Sequence, residues 1–316
     1  MAALLWCSNP RVVTLRSGSP FLAPYPEKNM SMLKRFGRAI DWEEQRQKLK
    51  PRIFLIIVLF ALLGACFSRP PEGMVAIPAG EFIMGTDEVD ESNFAAEQGI
   101  VKPWFVDEGP SHKIFLPLYY IDQHEVTNAE YAEYVLAEKV DPPPYWEKGR
   151  YPQGGDHFPV VMVSWGEAQD YCRSKEGHLP SEAEWEKAAR GVDGRPYPWG
   201  TEFDIQKVNV GGSSQDLKPV GSYVAGKSPY EVFDMIGNAW EWTADWYQPY
   251  PGSKHKSKDY GRRIKVLRGN SWSSIGHFPE EIHSELVKHH STVTFRLFAP
   301  PDATINDVGF RCVRPS

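Results

Sequence analysis

The sequence predicts an α+β domain with little regular secondary structure, standing behind an apolar N-terminal segment. Composition carries the first part of that reading. The 316 residues include 26 Gly and 27 Pro, together with 11 Trp and 14 Tyr. So many chain breakers argue against a helix bundle, and so many large rings suit a loop-rich domain pinned by aromatics. Periodicity carries the second part: alternating apolar runs are short, and the helical runs open on capping residues. Hydrophobic residues make up 41% and charged residues 24% of the chain, enough for a sizeable core, which excludes global disorder. A net charge of −6 argues against a nucleic-acid partner.

Along the body, Met74 to Pro78 alternates and reads as a strand that Pro78 ends, and Glu81 to Met84 reads as a second strand after the Ala79-Gly80 turn. Residues 86–110 are polar and acidic and read as a loop; His112 to Tyr120 reads as one further strand. Thr127 is placed to cap a helix on which Tyr131, Tyr134 and Val135 share a face. Residues 141–158 are rich in Pro and Gly and irregular. Ser164 with Glu167 forms a capping-box pattern that opens a helix through Cys172. Ser181 with Glu184 repeats it for a helix to Arg190, which Gly191 stops. Beyond Gly191, turns and short strands are expected.

The N-terminus divides into a leader and basic region (1–52), an apolar segment (53–66) and a linker (67–73), ahead of the domain at 74–316. Ile53 to Ala65 is uncharged and follows Lys48, Lys50 and Arg52. A spanning helix wants about 20 apolar residues, whereas a signal-peptide core wants about 7–15. Leu63-Gly64-Ala65-Cys66 resembles a bacterial lipobox, with Cys66 as the lipidated residue; an uncleaved anchor is the alternative. Residues 66–316 carry 25 Lys/Arg against 37 Asp/Glu. So acidic a body is not drawn to an anionic membrane by its own field, and the tether must supply attachment. A bacterial cell-envelope location follows, with the domain facing the periplasm or the exterior. Cys172 and Cys312, the two body cysteines, suggest one disulfide in an exported protein.

The order of several short motifs resembles the formylglycine-generating enzyme, or sulfatase-modifying factor, family. They are Ile77-Pro78-Ala79-Gly80-Glu81-Phe82-Ile83-Met84-Gly85, His124-Glu125-Val126-Thr127-Asn128, Leu179-Pro180-Ser181-Glu182-Ala183-Glu184-Trp185-Glu186, Gly237-Asn238-Ala239-Trp240-Glu241-Trp242-Thr243, Arg268-Gly269-Asn270-Ser271-Trp272 and Gly309-Phe310-Arg311-Cys312. The resemblance implies the family's variant of the C-type-lectin-like fold. It also implies a Cys172–Cys312 bridge and a calcium ion held by Asp234 and Glu241 through side chains and by Gly237 and Ala239 through carbonyls. Oxygen ligands on a tight loop are what a hard cation needs. The alternative is that the two carboxylates cap turns. By the same resemblance, Ser271, Trp272 and Trp242 are candidates to face a groove.

The family's chemistry, as the resemblance implies it, rests on two cysteines whose thiolates hold Cu(I) and which oxidise a substrate cysteine with O₂. Here the first position matches Ser274 and the second falls near Pro279, and no cysteine occurs between Cys172 and Cys312. A hydroxyl cannot replace a thiolate toward a soft cation, so copper is not expected and no catalytic residue is assigned. The run His277, Glu280, Glu281, His283, Glu285, His289, His290 could offer other ligands, but it lacks His-Glu-x-x-His spacing and also reads as a solvated insert. The expected protein is therefore a membrane-tethered, non-catalytic module that acts as a binding or structural subunit with an envelope protein partner. Two rivals are a formylglycine-generating oxidase and a calcium-dependent lectin-like receptor for carbohydrate or peptide.

Overall fold

A computed structural model describes residues 69–99, 104–212, 216–273, 275–276 and 278–316. The apolar segment and Cys66 lie outside the described residues. No helix among the described residues is long and apolar enough to cross a membrane.

Three small sheets carry the strands. β1 (Met74–Ile77) and β9 (Val313–Pro315) flank β4 (Tyr119–Asp122), both antiparallel to it, so β4 joins the domain's first and last strands in one sheet. β2 (Gly80–Met84) pairs antiparallel with β3 (His112–Leu116). β5 (Trp240–Trp246), β6 (Lys265–Arg268), β7 (Leu297–Ala299) and β8 (Val308–Gly309) form a sheet in the order β7-β6-β5-β8, with β8 parallel to β5. The run expected as one strand from His112 to Tyr120 is two. Pro117 interrupts it, and the two halves join different sheets, as a residue without an N–H requires. The acidic stretch read as a loop holds one short helix, α1 (Phe94–Glu97), whose first amides are capped by Asp90.

Three longer helices open on capping boxes: α2 (Asn128–Glu138) on Thr127 and Glu130, α3 (Trp165–Ser174) on Ser164 and Glu167, and α4 (Glu182–Arg190) on Ser181 and Glu184. In each the hydroxyl accepts from the third amide while the glutamate accepts from the cap's own amide, so two otherwise orphaned donors are satisfied. A fifth helix, α5 (Glu280–His290), follows Pro279.

α4 is buried nearly all round, which its charged sequence does not suggest. Its charges are matched in the core. Glu182 accepts from Arg268 at 3.0 Å and from Arg296 at 2.6 and 2.9 Å. Glu186 accepts from Arg268 at 2.6 Å, Arg190 at 2.8 Å and the Gly85 amide at 2.7 Å. Lys187 donates to the Pro78 and Gly80 carbonyls and so ties α4 to the first β-turn. Such pairs cost desolvation, but removing one partner leaves a buried charge, so they specify one packing more than they add stability.

Aromatics do fill the core. Tyr131, Tyr134, Trp146, Tyr171, Trp240, Trp242, Phe295 and Phe310 share one cluster, and Trp185 centres a second with Ile77, Ile121, Met235 and Val313. Cys172 of α3 and Cys312 before β9 are joined with S–S 2.01 Å across a sequence separation of 140.

Candidate functional site

β6 delivers the chain into Gly269-Asn270-Ser271-Trp272-Ser273, the segment that precedes the lost cysteine positions. Asn270 turns it through a left-handed conformation (φ 64°), and its side chain holds the Ser271 amide at 2.8 Å. The Gly211 and Gly212 amides bond the Ser271 and Trp272 carbonyls, and the Trp272 amide bonds the Asn238 carbonyl. The segment is thus clamped by two neighbouring loops.

Both serine hydroxyls converge on one carboxylate. Ser271 Oγ and Ser273 Oγ donate to Asp307 Oδ2 at 2.6 and 2.5 Å and lie 3.1 Å apart. Asp307 sits just before β8 and is 7% exposed. The sequence reading missed it, because nothing in Asn306-Asp307-Val308 announces a partner 36 residues away. Two hydroxyls on an aspartate form a hard, hydrogen-bonded oxygen cluster. It contains no thiolate for a soft metal and no histidine base to activate a nucleophile. Ser274 lies outside the described residues. Pro279 is exposed at the start of α5.

Beside this cluster opens a cavity of about 420 Å³, lined by Asn128, Tyr145, Phe158, Met162, Trp272 and Asn306 among others. Tyr145 donates to Asn128 Oδ1, and Asn128 donates to the Gly155 carbonyl at 3.0 Å. Trp272 Nε1 is buried with no hydrogen-bond acceptor. Trp272, expected at the groove, lines this cavity. Ser271, also expected at the groove, is 1% exposed and is not among the residues that line the cavity, its hydroxyl being held by Asp307. Trp242, expected at the groove, does not reach it. Its ring is fully buried, with Nε1 on the Val163 carbonyl at 3.0 Å, because inward positions of β5 pack into the core.

The Gly237-Asn238-Ala239 loop lies behind the same segment. Gly237 has φ 88°, and a Cβ there would stand 2.7 Å from the Asn209 carbonyl oxygen, so glycine is required twice over. Asn238 (φ 65°) accepts from the Lys218 amide and donates to Glu125 Oε1 at 3.1 Å. Asp234 accepts from the Gly221 amide at 2.6 Å, and burial raises its acid pKa to about 6. Glu241 is committed elsewhere. Oε2 accepts from Arg311 Nε at 2.7 Å and Trp185 Nε1 at 2.9 Å, and Oε1 accepts from Arg311 Nη2 at 2.7 Å. A carboxylate clasped by a guanidinium is a poor calcium ligand, so the set Asp234, Gly237, Ala239, Glu241 does not fit the ion as it stands. Glu125 is fully buried with Oε2 unpartnered, and burial and the neighbouring Asp234 hold its pKa well above the usual carboxylate range. No group of three or more His, Cys, Asp or Glu placed to hold a metal occurs among the described residues. In the histidine-rich run, His289 is buried against Trp104, Phe105 and Phe295 rather than presented to a ligand.

Small sheets, long pinned loops and this clamped segment define a C-type-lectin-like domain of the formylglycine-generating type. The chain belongs to the family described as the sulfatase-modifying factor enzyme 1-like domain, whose model matches residues 61–316. It is similar to the inactive C-alpha-formylglycine-generating enzyme 2 of Mus musculus, 28% identical over 87% of this chain and 96% of the relative. It is also similar to the formylglycine-generating enzyme of Bos taurus, 27% identical over 77% of this chain and 75% of the relative. Among solved structures, PvdO from Pseudomonas aeruginosa matches with a TM-score of 0.58 and 28% identity, covering 77% of this chain and 94% of that one.

Proposed function

We propose that this chain is a non-catalytic formylglycine-generating-enzyme-like module, tethered to a bacterial envelope membrane, that binds a partner protein and serves as a structural subunit. One observation carries the reading. The two positions that would present thiolates, Ser274 and the neighbourhood of Pro279, hold no cysteine, the segment leading to them presents Ser271 and Ser273 bonded to Asp307, and both body cysteines are consumed in the 172–312 disulfide. The mouse relative's name describes it as inactive, which agrees. The cavity lined by Trp272, Tyr145 and Asn128 is the ligand site in this reading. Attachment through Cys66 or an uncleaved 53–66 anchor remains part of the proposal, as does a calcium ion near Asp234.

The test is gentle detergent extraction of the native protein, then sizing and mass spectrometry of co-migrating chains. A stoichiometric partner whose binding is lost in Trp272→Ala supports the reading. A lone monomer, or a partner indifferent to Trp272, contradicts it.

A further inference from the structure

The connection from β5 to β6 carries a concentration of positive charge that the proposed function does not use. Residues 252–263 include Lys254, Lys256, Lys258, Arg262 and Arg263 against Asp259 alone, while the rest of residues 66–316 holds 20 Lys/Arg and 36 Asp/Glu. All five cations are exposed, and Ser253, His255, Ser257 and Asp259 between them are half-buried. That alternation is the pattern of an extended ribbon, so the three lysines project from one side at intervals of roughly 7 Å. None of the five has a carboxylate within ion-pair distance among the described residues, although acidic side chains dominate the surface.

The ribbon is held in place. Tyr260 packs on Tyr247 with ring centroids 4.9 Å apart, and His255 stands edge-on to Tyr260 at 5.8 Å. The Ser253 amide bonds the Tyr250 carbonyl, the Gly261 amide bonds the Tyr247 carbonyl, and Arg263 Nη2 bonds the Lys258 carbonyl at 2.8 Å. Order is therefore already present before binding, which lowers the entropy lost on association. Arg262 also lines a cavity of about 510 Å³ that includes Trp246, Gln248 and His112.

We propose that the 252–263 ribbon is a docking surface for an acidic polysaccharide. A row of unpaired cations at regular spacing matches a linear polymer bearing carboxylate or sulfate groups at intervals. The neighbouring cavity, with an indole, an amide and Arg262, has the size and polarity for a sugar unit. Two other polyanions fit less well. A lipid surface is disfavoured because the ribbon exposes no large apolar side chain to insert, and the acidic body opposes approach. Single-stranded nucleic acid is disfavoured because the ribbon's rings, His255 and Tyr260, are turned inward, leaving no stacking platform.

The experiment measures binding of the detergent-solubilised full chain to dextran sulfate and to alginate. A single-stranded oligonucleotide and anionic lipid vesicles are run in parallel, all with chelator present. K254Q/K256Q/K258Q is compared with K113Q/K148Q/K288Q, which removes the same charge from exposed lysines elsewhere. The proposal expects salt-sensitive, calcium-independent polysaccharide binding, weakened roughly tenfold or more in the ribbon variant and little changed in the control variant. No polysaccharide binding, equal loss in both variants, or tighter binding to vesicles or oligonucleotide would overturn it. The outcome leaves the non-catalytic reading untouched, since the ribbon and the Trp272 cavity share no residues.

Discussion

Glu241→Gln removes a charge that faces Arg311 in the structure and that the family pattern would assign to calcium, and the two roles predict different energetics. Both side chains are fully buried, and the carboxylate takes two guanidinium bonds at 2.7 Å. Breaking such a pair strands Arg311 with only the Asp122 and Phe233 carbonyls as strong acceptors. The expected loss is about 3–5 kcal/mol, toward the lower end because glutamine can still accept from Trp185. Arg311→Met should cost a similar amount. The double variant should lose less than the sum by about 1–3 kcal/mol, the coupling of neighbours in one pair. Urea unfolding by fluorescence measures all four proteins, in chelator and in about 1 mM calcium, a range in which extracellular calcium modules bind. The pairing account predicts the same penalty in both buffers. If the penalty appears only with calcium, and Arg311→Met costs little, Glu241 is a metal ligand and the reasoning fails.

Three other expectations follow from the same geometry. Replacing both Cys172 and Cys312 by Ser should cost at most about 5 kcal/mol, the chain-entropy ceiling for closing a loop of this separation; denaturant midpoints with unchanged slope would show it, and a negligible loss would mean that the unfolded chain is already held by other means. Asp122 is half-buried and accepts from the Cys312 amide, and loss of hydration pushes its pKa up from 3.8 to about 7. The folded state therefore keeps a proton that the unfolded state releases between about pH 4 and pH 7, so stability falls as pH rises through that window. Asp122→Asn should escape this loss and gain on the wild type by a few kcal/mol between pH 5 and pH 8; a gap that stays constant with pH would refute it. Asp307→Ala removes the acceptor shared by two serine hydroxyls and leaves them only each other, with an expected cost of about 1–3 kcal/mol and weaker ligand capture at the Trp272 cavity; thermal melts and partner binding read the two effects separately.

Local signals were the most legible. Ser164 with Glu167 and Ser181 with Glu184 predicted two helix starts, because a capping box is complete within four residues. The aromatic-rich, loop-heavy class was legible from composition. Pro117 was in plain view, yet the run across it reads as one strand until the two halves are seen in separate sheets. What composition and spacing hide is long-range pairing. Glu241 with Arg311 is 70 residues apart, Glu125 with Asn238 is 113, and Ser271 with Asp307 is 36. Trp242 shows the limit of carrying a role across a motif: its place on β5 decides that the ring faces the core, whatever the motif around it. The lysines at 254, 256 and 258 drew no reading from the sequence, and the exposure pattern is what shows that their charges share one side.

With the cysteine pair absent, copper-dependent oxidation of a substrate cysteine is not expected of this chain. The direct measurement is incubation of the full chain with Cu(I), O₂ and a Cys-x-Pro-x-Arg peptide, followed by mass spectrometry of the peptide. The peptide's cysteine should remain unmodified. Conversion to formylglycine above a protein-free control would contradict it, and would mean that ligands other than the absent thiolates hold the metal.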